Sequence, residues 1–254
     1  MDFPSGDLIA LLVVAGFFSA FVDSVVGGGG LISLPALLLT GLPPTMALGT
    51  NKMASCMGSL TSSLSFLRSG KIDMKLVKYL FWLSLVGAAC GVVTVQQIPS
   101  QFLRPLVVVL LIGVSIYTIF RKNWGSENTY HGLTRRMFIL SCIVAFSIGF
   151  YDGFFGPGAG SFFMFAFLMI GFDFVTAAGN ARALNFASNI ASVIMFALYG
   201  SIAYAYALPM GIAMILGALA GTRLAIRKGA AYVRPLFLSV AAVMIGKQVW
   251  DLLH

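Results

Sequence analysis

Residues 23–39, DSVVGGGGLISLPALLL, decide the fold of this chain, because four consecutive glycines interrupt an apolar stretch. The stretch begins near residue 8 and ends near residue 40, and its arm after the glycines has about ten residues. A transmembrane helix needs about 20 apolar residues to cross the hydrocarbon core of a bilayer. The second arm is therefore too short to span alone, and the pattern predicts a helix that is broken at membrane depth.

A second interrupted stretch covers residues 137–170, around the sequence GPGAG at residues 156–160. Its second arm is again about ten residues long. Paired helix breaks at matching positions are the best indication, from sequence, of where a membrane transporter binds its substrate. We therefore expect the glycine-rich tips, including Gly28, Gly29 and Gly158, to lie beside a substrate.

Composition places the rest of the chain in a bilayer as well. Of the 254 residues, 59% are hydrophobic and 9% are charged, and the mean hydropathy is +0.96. A soluble domain carries about 25% charged residues, and a chain this short has too small an interior to hide so much apolar surface. The class is an all-α polytopic membrane protein, and six further stretches are long enough to span: 45–67, 77–96, 102–120, 176–199, 204–226 and 233–252.

The two halves of the chain are related by duplication. Asp23 matches Asp152 at an offset of 129, and later matches such as Gly70 with Gly200 keep an offset of 130. Matches of Gly, Pro, Asp and Arg at constant spacing are more specific than apolar similarity. Each repeat is predicted to hold one broken hairpin and three transmembrane helices, which divides the chain into a first repeat at 1–120 (hairpin around 27–30), a linker at 121–136 and a second repeat at 137–254 (hairpin around 156–160).

Basic residues in the loops predict that the repeats are inverted. Loop 68–78 carries four, whereas its counterpart at 198–208 carries none; loop 96–103 carries none, whereas its counterpart at 226–233 has two and basic flanks. Because basic loops stay in the cytoplasm, equivalent loops lie on opposite faces, which requires an odd number of crossings in each half. Three full helices with a re-entrant hairpin meet this requirement, and we expect a cytoplasmic linker and periplasmic termini.

Four charged residues do not look like loop charges, namely Asp23, Lys52, Asp152 and Arg182. They form two repeat-related pairs, and a charge deep in a bilayer indicates a functional site. Lys52 and Arg182 each begin a polar stripe at the helical intervals i, i+3, i+7 and i+10. The stripes consist of Lys52, Ser55, Ser59 and Ser62 in the first half and of Arg182, Asn185, Asn189 and Ser192 in the second.

Two cations surrounded by neutral hydrogen-bonding groups suit an oxyanion. Arginine offers a planar fork of donors to oxyanion oxygens, and lysine adds a point charge. Asp23 and Asp152 have two roles open to them: they neutralise the cations as buried ion pairs, or they couple transport to protons. The side chains predicted to bind the substrate are Lys52, Arg182, Asn51, Asn185, Asn189, Ser55, Thr50 and Asn180.

The sequence gives no indication of an enzyme. His131 and His254 lie in a loop and at the terminus, and the three cysteines have neither metal nor disulfide spacing. Without a P-loop, we expect no ATP-driven pump, and we also expect no cofactor, no metal and no nucleic-acid partner. Two glycine pairs at helical spacing favour close helix contacts, within the chain or in a homodimer; these are Gly87 with Gly91 and Gly217 with Gly221.

Two parts of the chain resemble the sulfite exporter TauE/SafE family. Residues 22–70, VDSVVGGGGLISLPALLLTGLPPTMALGTNKMASCMGSLTSSLSFLRSG, are similar to its first half. GFYDGFFGPGAGSFFMFAF at 149–167, followed by NARALNFASN at 180–189, is similar to its second half. The resemblance implies a permease of the bacterial inner membrane that moves sulfur-containing anions, such as sulfite, sulfoacetate or related organosulfonates, usually outward.

Taken with the charged centre, this resemblance favours a secondary transporter that works by alternating access at a site near the membrane midplane. Its partners would be the small oxyanion and the surrounding lipid. An anion channel, or a permease for other small carboxylate or sulfonate anions, is the alternative.

Overall fold

The computed structural model describes residues 5–99, 101, 102, 109, 130, 132 and 134–228, and within this part the regular structure is helical, as predicted. The predicted span at 233–252, nearly all of the predicted span at 102–120 and most of the linker at 121–136 lie outside the described residues. The eight described helices are α1 (Gly6–Val26), α2 (Gly30–Leu38), α3 (Pro44–Arg68), α4 (Met74–Gln96), α5 (Arg135–Phe154), α6 (Ala159–Met169), α7 (Phe174–Leu198) and α8 (Tyr204–Lys228).

Five of these helices, α1, α4, α5, α7 and α8, are long and apolar enough to cross a membrane. Helix α3 has 25 residues, roughly 37 Å at 1.5 Å per residue, and its bounds agree with the predicted span at 45–67. Its polar stripe makes it less apolar than the other long helices. The protein is therefore a multi-pass membrane protein.

Both interrupted stretches are broken at their glycines. Gly27 and Gly28 have φ angles of 79° and 88°, and Gly156 and Gly158 have φ angles of 100° and 85°. Only glycine adopts such angles without strain, so these residues let the chain leave one helix and enter the next. The helices after the breaks, α2 and α6, have 9 and 11 residues, which is the predicted length of a short second arm.

Acidic N-caps fix where two of the long helices begin. The Asp73 carboxylate accepts the backbone N–H of Lys75 at 2.9 Å, and the Asp173 carboxylate accepts that of Val175 at 3.0 Å. These bonds satisfy N–H groups that the first turn of a helix leaves without an intrahelical acceptor. The cap at Asp173 fixes the residue at which α7 begins, and α7 is the helix that carries Arg182.

The two glycine pairs make close contacts within the chain. A Cβ at Gly221 on α8 would lie 2.3 Å from the carbonyl oxygen of Phe21 on α1, and a Cβ at Gly91 on α4 would lie 2.1 Å from that of Phe150 on α5. These two contacts are repeat equivalents of each other. Each half thus packs its fourth described helix against the first helix of the other half, and the glycines allow the backbones to approach.

Helices α3 and α7, which occupy equivalent places in the two halves, pack against each other in opposite directions. Gly49 near the start of α3 lies against Phe196 near the end of α7, and Gly179 near the start of α7 lies against Phe66 near the end of α3. The polar stripes of both helices therefore face one another along the same seam.

Candidate functional site

The tips of the two helix breaks touch each other. A Cβ at Gly27 would lie 2.3 Å from the backbone nitrogen of Ser161, and a Cβ at Gly30 would lie 2.8 Å from Cα of Pro157. The Ser161 hydroxyl donates a hydrogen bond of 3.0 Å to the carbonyl oxygen of Val26. The glycines make this approach possible because any side chain would separate the two tips.

Two ion pairs lie at this junction, and each joins one half of the chain to the other. Lys52 Nζ on α3 is 2.6 Å from Asp152 Oδ1 on α5, and Arg182 Nη1 on α7 pairs with Asp23 Oδ2 on α1. The four residues are the ones that the sequence placed inside the apolar stretches. Their formal charges sum to zero, so both carboxylates neutralise a cation in this conformation.

Two asparagines of the predicted stripe connect the ion pairs. Asn185 accepts a hydrogen bond from Arg182 Nη1 at 3.4 Å and donates one to Asp152 Oδ2 at 3.1 Å. Asn189 accepts one from Lys52 Nζ at 3.2 Å and donates one of 3.3 Å to the side-chain oxygen of Asn185. A continuous hydrogen-bonded network therefore runs from one ion pair to the other.

Two serines that were not among the predicted substrate-binding residues complete this network. Ser188 donates a hydrogen bond to Asp152 Oδ2, and Ser59 accepts one of 3.2 Å from Asn189 Nδ2. Ser188 lies one turn from Asn185 on the same face of α7, so helical periodicity alone could have found it. The match between the two halves does not single out Ser188, because the equivalent residue in the first half is Gly58.

Within the described part of the chain, the Nη2 nitrogen of the Arg182 guanidinium has no hydrogen bond. This nitrogen is buried, and it lies against Gly160 on the first turn of α6, where a Cβ would come within 1.9 Å of it. A buried guanidinium N–H group without an acceptor has lost its hydration and gained no hydrogen bond, which raises the free energy of the folded protein. An added acceptor at this atom would recover that cost.

The predicted glycines lie beside the ion pairs. The Gly29 N–H donates a hydrogen bond of 3.1 Å to Asp23 Oδ1, and Gly28 is part of the same turn. Gly158 is the N-cap of α6. A Cβ at Gly156 would lie 3.0 Å from Lys52 Nζ, so the second break also borders the lysine.

Four other predicted residues lie outside the central network. Thr50 Oγ1 accepts the N–H of Ala203 at 2.9 Å, and its repeat equivalent Asn180 accepts the N–H of Asp73 at 2.8 Å. Each side chain therefore accepts a hydrogen bond from the connection between the last two described helices of the opposite half. Asn51 is buried with its side-chain oxygen lacking a partner in the described part of the chain, and Ser55 is half-buried on α3.

Comparison with known proteins agrees with a transport function. A model of the family described as Sulfite exporter TauE/SafE matches residues 12–247. The chain is 37% identical over 246 residues to a "Probable membrane transporter protein" of Haemophilus influenzae, covering 96% of both chains. It is 36% identical over 247 residues to the "Probable membrane transporter protein YfcA" of Escherichia coli K12, covering 96% of this chain and 90% of the relative. No solved structure matches the chain significantly.

Proposed function

Because the chain is a membrane transporter that belongs to the sulfite exporter TauE/SafE family, we propose that it exports small sulfur-containing oxyanions across the bacterial inner membrane. The substrates we propose are sulfite, sulfoacetate or related organosulfonates. The observation that carries the proposal is a pair of buried cations at the junction of two helix breaks, one of them with a guanidinium nitrogen that has no acceptor among the described residues.

The groups at this junction match the chemistry of an SO₃ group. The guanidinium of Arg182 presents parallel N–H donors to two oxygens of one group, and the ammonium of Lys52 adds attraction from the other side. Asn185 and Asn189 contribute neutral hydrogen bonds and link the two cations. The N-terminus of α6 directs its first backbone N–H groups and the positive end of its dipole to the same region.

The architecture that we propose is two inverted repeats, each with a re-entrant hairpin and three transmembrane helices. The opposite directions of α3 and α7 support inversion, as does the contrast between the basic loop 68–78 and its uncharged counterpart 198–208. The hairpins would gate a midplane site that opens to each face in turn. The touching tips and the burial of Lys52 and Arg182 favour such a closed, alternating site over the open pore of a channel.

Reporter fusions test this topology. With loops 68–78 and 226–233 in the cytoplasm, an alkaline phosphatase fused after residue 254 is expected to be active, because that enzyme folds in the periplasm. The same reporter inserted at residues 69–73, between α3 and α4, is the control and is expected to be inactive. A terminal fusion that is active only with a cytoplasmic reporter would overturn the arrangement with periplasmic termini.

Binding measurements over a panel of anions test the function. Purified protein is expected to bind sulfite or sulfoacetate more tightly than acetate or chloride, and Arg182→Ala and Lys52→Ala are each expected to weaken binding by about tenfold or more, since losing a hydrogen bond to a charged group costs about 1.5–3 kcal/mol. The exposed Lys75→Ala on α4 is the matched control and should bind as the parent does.

Three outcomes decide between the alternatives. If both central variants bind like the parent, the site is wrong. If acetate and other carboxylates bind best, the protein is a carboxylate permease. Single-channel currents from the protein in planar bilayers would support the anion channel instead.

A further inference from the structure

The two repeat-related ion pairs differ in how deeply their carboxylates are buried. The side chains of Lys52 and Asp152 are 3% and 2% exposed, and that of Arg182 is 2% exposed, whereas that of Asp23 is 23% exposed. Opening the Lys52 pair would leave two buried charges without their counter-charges, which is costly. The Asp23 side chain is already partly exposed, so opening its ion pair costs less than opening the fully buried one.

The carboxylates also differ in their other hydrogen bonds. Asp152 Oδ2 accepts from Asn185 Nδ2 at 3.1 Å and from the Ser188 hydroxyl. In the equivalent place in the first half, Ser188 is replaced by Gly58, which has no side chain to donate. Asp23 has one described donor besides Arg182, a backbone N–H on the adjacent turn. Asp152 is thus fixed by two further side chains, whereas Asp23 is not.

The guanidinium that faces Asp23 also has hydrogen-bond donors that no described residue accepts. Arg182 directs Nη1 to both Asp23 and Asn185, while Nη2 has no partner in the described structure. A guanidinium forms its strongest complexes when two parallel N–H groups bind two oxygens of one group. Asp23 does not engage Arg182 in this way.

From these differences we propose that the substrate binds by replacing Asp23 at Arg182, while the pair between Lys52 and Asp152 stays closed. This inference rests on the proposed oxyanion transport and assigns its binding step to one of the two pairs. Two oxygens of a sulfite or sulfonate group would accept from Nη1 and Nη2 of Arg182. The displaced Asp23 carboxylate would turn away from Arg182 and keep its hydrogen bond from the Gly29 N–H.

Two repeat-equivalent variants, Asp23→Asn and Asp152→Asn, test the inference in purified full-length protein. The parent and both variants are titrated with sulfite and, separately, with sulfoacetate, and their thermal unfolding is measured with and without each anion. Asp23→Asn is expected to bind about tenfold more tightly than the parent, because no carboxylate competes for Arg182. The anion should also raise its unfolding temperature more than that of the parent, since it replaces the missing partner. Asp152→Asn should show neither gain.

Equal gains in both variants would overturn the inference, because they would show that each cation attracts an anion once its carboxylate is neutral. A gain in Asp152→Asn alone would assign the step to the other pair and would overturn it as well. If Asp152→Asn does not fold, Asp23→Asn still decides, since unchanged or weaker binding contradicts the competition. If the parent and both variants bind neither anion, the proposed function itself fails and this inference fails with it.

Discussion

Lys52→Met is expected to lower the free energy of unfolding by roughly 3–5 kcal/mol, because it leaves Asp152 buried and charged without its cation. The Asp152 side chain is 2% exposed, so water cannot replace the ammonium. Its hydrogen bonds from Asn185 and Ser188 stabilise the carboxylate but supply no positive charge. Denaturant titration of the detergent-solubilised protein measures the effect, and the exposed Lys75→Met should change the stability little.

The double variant Lys52→Met with Asp152→Leu separates structural from transport roles. Replacing both partners of a buried pair by apolar side chains is often neutral for stability, so the double variant should recover much of the loss. It should not recover transport, since Lys52 no longer attracts the anion. A double variant that transports normally would show that this pair only holds the helices together. A single variant as stable as the parent would show that Asp152 accepts a proton or another partner when Lys52 is absent.

The charged centre could be predicted largely because the chain is a duplication. Asp23, Asp152, Lys52 and Arg182 stood out because they do not look like loop charges and form two repeat-related pairs, and all four lie in one network. The sequence did not determine which carboxylate pairs with which cation. That choice depends on how the halves pack, since each pair joins residues on helices of different halves.

The same reliance on repeat matches hid a residue that matters. The Ser188 hydroxyl binds a central carboxylate, but its equivalent is Gly58, so the match between the halves does not single it out. The two sites differ at this position, and a pattern shared by both halves cannot reveal a difference between them.

Thr50 and Asn180 show a different limit of sequence reasoning. Both extend the polar character next to a central cation, and the sequence therefore predicts that both bind substrate. Their side chains instead accept backbone N–H groups 153 and 107 residues away along the chain. A local pattern identifies a buried polar group that needs a partner, but only tertiary packing shows which partner it has. A role for these residues in substrate binding stays a prediction.

Gly160→Ala is expected to weaken the binding of sulfite or sulfoacetate by roughly ten- to a hundredfold, although it removes no side chain that binds the substrate. The added Cβ would lie 1.9 Å from Arg182 Nη2 and 3.0 Å from Cζ, well inside van der Waals contact, so the guanidinium must move. A displaced guanidinium loses hydrogen bonds to charged groups, each worth about 1.5–3 kcal/mol, and 1.4 kcal/mol corresponds to a factor of ten in affinity. Anion titration of the purified variant measures this change.

The repeat supplies a second variant that tests whether crowding of Arg182 is the cause. At the position equivalent to Arg182, the first half has a lysine, Lys52. The shorter lysine head group does not reach as far as a guanidinium, so Gly160→Ala combined with Arg182→Lys should unfold at a higher temperature than Gly160→Ala alone. It should still bind the anion weakly, because an ammonium cannot present the planar fork. Parent-like affinity in Gly160→Ala would contradict a role for the Arg182 guanidinium at this position, whereas full recovery of affinity in the double variant would show that charge alone, and not the fork, holds the substrate.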